Sequence, residues 1–91
     1  MLIVVSYDVT DDRRRLRVAA ALEDFGTRVQ YSVFECRLET PKIDHLRTRL
    51  LALIDRKEDS VRFYHFCQDC GAKTEIHGVE TKTEDPDVYV L

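Results

Sequence analysis

The sequence predicts an α+β sandwich, with two helices lying on one face of an antiparallel sheet. Three observations predict it. Short β-branched or aromatic runs alternate with two stretches of helical period, in the order β-α-β-(β)-α-β-β. The chain has 91 residues, room for one domain and one core. Its composition is 44% hydrophobic and 34% charged with three Gly and two Pro, which excludes disordered, collagen-like and low-complexity classes.

Residues 2–7 (LIVVSY) are apolar at both parities, the pattern of a central strand buried on both faces. Asp8 to Asp12 break that run and offer N-cap side chains. A helix is expected over residues 12–25, with Val18, Ala21, Leu22 and Phe25 on one face and Gly26 as its C-terminal cap. Residues 27–39 contain no Gly or Asn-Gly turn signal and read as one long strand. Thr40 and Pro41 form an N-cap followed by an N1 proline. The helix they open is expected to reach about residue 57, with Ile43, Leu46, Leu50, Leu53 and Ile54 as its core stripe. Residues 60–67 (SVRFYHFC) read as a strand, residues 75–80 as a short one, and residues 81–91 as an extended tail.

Two helices can cover only one face of this sheet, yet its central strands are apolar on both. A symmetric homodimer packed sheet against sheet would cover the second face, with the tail adding to the partner's sheet edge.

No apolar run approaches the roughly 20 residues of a membrane span, and no basic segment precedes the short apolar N-terminus. Three Cys are too few for a secreted disulfide scaffold, so a cytoplasmic protein without membrane contact is expected. The net charge is −3, but the acids concentrate in the last third. Arg13, Arg14, Arg15 and Arg17 fall together at the start of the first helix, where cations oppose the helix dipole. They are expected to have another task, and the guanidinium fork suits phosphate.

Tyr7-Asp8-Val9-Thr10-Asp11-Asp12, then Arg15 and Arg17-Val18, then Arg28-Val29-Gln30-Tyr31-Ser32-Val33-Phe34-Glu35, resemble the CRISPR-associated protein 2 family, and the resemblance covers nearly the whole chain. It implies a ferredoxin-like βαββαβ sandwich with an extra C-terminal strand, residues 27–39 being divided near Tyr31–Ser32, and a homodimer packed through its sheets. It implies a metal-dependent endonuclease acting on single-stranded RNA or double-stranded DNA, and a role in spacer acquisition into the CRISPR array beside the integrase subunits. Carried over by position, Asp8 would be the catalytic Mg²⁺ ligand, one from each subunit. Tyr7, Arg15, Arg17, Arg28 and Phe34 would be accessory active-site or nucleic-acid-contacting residues.

The chemistry is coherent. Mg²⁺ takes oxygen ligands, keeps several waters, and typically uses one or two carboxylates plus substrate phosphate. His45, His65 and His77 all lie outside the motif region, so metal-activated water is the route the residues support. Plainer roles stay open at this stage: Asp8 as a turn residue, Tyr7 and Phe34 as core aromatics, Arg28 in a surface ion pair. A non-catalytic dimeric scaffold that binds nucleic acid and bridges integrase subunits is the alternative function. Cys67-x-x-Cys70 has zinc-knuckle spacing but needs further ligands, for which Cys36, His65 and His77 are the candidates. Whether that pair binds metal or forms a disulfide stays open.

Overall fold

In the computed structural model the described residues are 1–67 and 71–78. The expected tail of residues 81–91, its addition to a partner's sheet, and Cys70 lie outside them. The first strand, β1 (Leu2–Asp8), is central, as its two-sided apolar pattern predicts. It pairs antiparallel with β3 (Val33–Arg37) on one side and with β4 (Ser60–Cys67) on the other. The edges are β2 (Thr27–Gln30) and β5 (Gly71–Gly78), giving the order β2-β3-β1-β4-β5. Without β5 this is the ferredoxin-like sheet. The helices α1 (Asp12–Glu23) and α2 (Thr40–Leu53) form the second layer.

Strand alternation decides which side chains meet the helices. Ile3, Val5 and Tyr7 of β1 stand beside Phe34 and Cys36 of β3 and Val61 and Phe63 of β4, all buried. Val18, Ala21 and Leu22 of α1 and Ile43, Leu46 and Leu50 of α2 close over them, with Phe25, Leu38, Leu53 and Ile54 at the margin. Each fully buried Leu, Ile or Phe contributes about 1.5–3 kcal/mol. On the opposite face Leu2, Val4 and Phe66 are only half-buried.

Several expected boundaries change, each for a local reason. Residues 27–39 are two strands, divided at Tyr31–Ser32 as the family resemblance implies. The turn uses no residue at positive φ, and a register shift between Arg28 and Gln30 absorbs the distortion, so no Gly or Asn marks it. Gly26 is not a left-handed cap; its N–H donates to the Leu22 carbonyl at 2.9 Å, and Asp24 is the C-cap. Glycine is required there because a Cβ would overlap the Glu35 carbonyl oxygen and Cys36 Sγ. Glu39 rather than Thr40 is the N-cap of α2, which ends at Leu53 and not near residue 57. Below it Asp55 organises a turn, accepting from the backbone N–H groups of Glu58 and Asp59. The last described strand is longer than residues 75–80 suggest, beginning at Gly71.

Candidate functional site

Asp8 is the last residue of β1, paired in register with Ser60, and its side chain is exposed. Asp11 caps α1 by accepting from the Arg14 N–H at 3.0 Å, and Asp12 accepts from Arg15 at 2.7 Å. Asp59 is fully buried. Its carboxylate accepts from Arg14 Nε at 2.7 Å and from the other arm of the same guanidinium at 3.2 Å. It also accepts from the backbone N–H of Asp55 at 2.8 Å and of Thr10 at 3.1 Å. Burial alone would raise this carboxyl, but the Arg14 guanidinium and those two amides outweigh it and hold the pKa down at about 2. The turn that follows Asp8 is therefore pinned at Thr10. Among the described residues, Asp8 is the one acid flanking this turn whose carboxylate no side chain or amide engages.

One residue earlier, Tyr7 points to the other face of the sheet. Its ring is buried against Phe34 with centroids 6.3 Å apart, and the Arg28 guanidinium lies 5.3 Å from the Phe34 centroid. Arg28 also donates to the Tyr31 carbonyl at 3.0 Å, while the Tyr7 N–H donates to the Ser32 carbonyl at 3.1 Å. Burial raises the Tyr7 hydroxyl pKa, and nearby Arg28 and Arg15 oppose it. Tyr7, Arg15, Arg28 and Phe34 thus gather between α1 and the β2–β3 hairpin. Asp8 lies at the same end of the sheet on the opposite face. Arg17 stands apart, lining a groove between α1 and α2 with His45, Thr48 and Arg49.

Within one chain, Asp8 provides a single carboxylate. No group of three His, Cys, Asp or Glu side chains forms a metal-binding cluster among the described residues. That donor set suits a hydrated hard cation shared with a second copy better than a caged one. The thiol of Cys36 is buried and pushed up to about 11. His65 and His77 do converge, but on Glu75, at 2.9 and 3.0 Å. Arg47 of α2 holds the same carboxylate at 2.6 Å. Burial opposes ionisation of Glu75, yet Arg47, His77 and His65 keep it at about 2.

Sequence reading missed Asp59, Arg47 and Glu75. Nothing local distinguishes a buried Asp before a strand from a solvated one until its partner, Arg14, is known. Of the arginines whose place at the N-terminus of α1 opposes the helix dipole, Arg14 is engaged by Asp59.

No helix of the described chain is long and apolar enough to cross a membrane. Residues 1–74 match the family model described as CRISPR associated protein Cas2. A Chloroflexus aurantiacus protein named CRISPR-associated endoribonuclease Cas2 3 is 41% identical over 91 residues, covering 100% of this chain and 98% of its own. A Synechocystis protein of the same name is 44% identical over 90 residues, covering 99% and 98%. Among solved structures, Streptococcus pyogenes Cas2 superposes with a TM-score of 0.69 at 38% identity, covering 76% of this chain and 89% of that one. A hypothetical protein from Thermus thermophilus does so with a TM-score of 0.67 at 37% identity, covering 81% and 96%. With the family model matched over residues 1–74 and relatives of this identity aligned from end to end, this chain belongs to the CRISPR-associated Cas2 family.

Proposed function

We propose that this protein is a CRISPR-associated endonuclease that hydrolyses phosphodiester bonds as a homodimer, taking part in spacer acquisition. The observation that carries the reading is Asp8: an exposed, unengaged carboxylate at the end of a central strand, beside a turn locked by Arg14 and Asp59. The relatives' name of endoribonuclease supports the reaction class.

The Asp8 carboxylates of two copies, brought together across a dyad, would hold Mg²⁺. That ion would supply an activated water and neutralise charge developing on the phosphate. Arg15 and Arg28 would bind the phosphodiester and stabilise the same charge, since both guanidinium groups stand at this end of the sheet. The half-buried apolar side chains Leu2, Val4 and Phe66 on the sheet face away from the helices support pairing of two copies. Single-stranded RNA is the preferred substrate in this reading, with double-stranded DNA as the second, and the cytoplasm as the place of action. The integrase subunits of the CRISPR system are the protein partners. A non-catalytic bridging scaffold is the second reading, favoured by the single candidate ligand among the described residues of each chain.

The test compares wild type with Asp8→Ala, both verified as folded dimers, on single-stranded RNA and double-stranded DNA with Mg²⁺ or chelator. Magnesium-dependent cleavage lost in the variant is expected. No cleavage by wild type, or equal cleavage by both, would overturn the nuclease reading and leave the scaffold.

A further inference from the structure

Tyr31 is the most exposed large apolar side chain of the described residues, at 73%. It sits in the two-residue turn between β2 and β3, where nothing in the core requires an aromatic ring. The turn is nevertheless fixed. The Tyr31 carbonyl accepts from Arg28, and the neighbouring Ser32 carbonyl accepts from the Tyr7 N–H. Arg28 is held over Phe34 while it bonds the Tyr31 carbonyl, so its guanidinium stands at the turn that carries the exposed ring. The Tyr31 phenol is close enough to the Tyr7 hydroxyl to raise its pKa, alongside Arg28 and Arg15, which lower it. A solvent-facing ring on a backbone-fixed turn, with guanidinium groups nearby at the Asp8 end of the sheet, is the composition of a single-strand binding platform. There, bases stack on aromatic faces while cations hold the phosphates.

We infer that Tyr31 is a nucleic-acid-binding residue that stacks on an unpaired base, with Arg28 holding an adjoining phosphate. The inference rests on the nuclease reading and narrows it, because a base inside a duplex has no free face to offer. RNA and DNA single strands both present that face, so the test includes each.

The chain has no Trp, so Tyr31→Trp introduces a unique fluorophore at the proposed stacking position. A short single-stranded RNA of mixed sequence, its single-stranded DNA counterpart and a blunt duplex are titrated into the dimer, following both tryptophan emission and oligonucleotide anisotropy. Saturable quenching by a single strand, in step with anisotropy, is expected. In the same assay Tyr31→Ala should weaken single-strand binding by about 5- to 150-fold, the range of one base–aromatic stack, and Tyr31→Phe should restore it. Duplex binding should be unchanged by either. Single-strand binding without quenching, or undiminished in Tyr31→Ala, would overturn the role of Tyr31 and leave the nuclease reading standing. Absence of binding by wild type to every probe would overturn both.

Discussion

Arg14 Nε lies 2.7 Å from Oδ2 of Asp59, joining the first turn of α1 to the residue before β4 across 45 positions of sequence. The pair does more than tie two loops together. The same carboxylate receives the Thr10 amide, so the backbone two residues beyond Asp8 is set by an ion pair whose acid is buried. Removing the buried acid is costly because the donors that converge on it lose their acceptor.

Asp59→Ala should therefore lose about 1–3 kcal/mol, chiefly by leaving the amides of Thr10 and Asp55 without their acceptor. Asp59→Asn, which keeps one carbonyl acceptor, should lose less. Urea unfolding of both variants measures the difference. A loss within experimental error for Asp59→Ala would refute the clasp.

Acid should act through the same group. The folded carboxyl of Asp59 is held at about 2, below its ordinary 3.8, so the unfolded chain binds the proton first as pH falls. Its contribution, on the order of 2 kcal/mol, is complete above pH about 4 and disappears as pH falls through about 2. Glu75, also held at about 2 against an ordinary 4.5, adds in the same direction. Unfolding free energies measured through that window should fall steeply in wild type and less so in Asp59→Asn.

Two glycines should resist substitution for different reasons. Gly26→Ala places a Cβ against the Glu35 carbonyl and Cys36 Sγ, an overpacking cost of about 1–3 kcal/mol. Gly78 has φ +98°, and its Cβ would also meet the Asp59 carbonyl, so Gly78→Ala combines backbone strain with a clash beside the clasp. Gly78→Ala should be the more destabilising in thermal melts.

These same positions show what was legible in the sequence. The two-sided apolar pattern of residues 2–7 correctly places β1 at the centre, and period 3.6 gives both helices and most of the core stripe. The β2–β3 turn was illegible from the residues alone because it uses no positive φ, leaving Tyr31–Ser32 without turn chemistry; only the family resemblance divided it. Gly26 was misread for the converse reason: its glycine answers close approach to β3, not helix termination. The location of Asp8 followed from the motif, whereas Asp59 is 45 residues from its Arg14 partner and has no local signature. Local rules predict local structure, and the site is held by non-local pairs.

β5 is docked on the helix layer by Arg47 and Glu75. The guanidinium donates to both carboxylate oxygens, at 2.6 and 3.0 Å. Arg47→Ala should leave β4–β5 pairing intact but raise hydrogen exchange along residues 71–78 more than along β1, which is central and buried. Uniform change across all five strands would contradict a local clamp.

In the proposed nuclease Asp8 works as a pair, one carboxylate from each copy. Wild type and Asp8→Ala subunits are allowed to exchange at equal concentration, and magnesium-dependent cleavage is measured against wild type alone. If each site needs both carboxylates, only dimers with two wild-type subunits cut, and activity falls to about one quarter. Activity of about one half would mean that each subunit carries an independent site and would rule out a shared pair of Asp8 carboxylates.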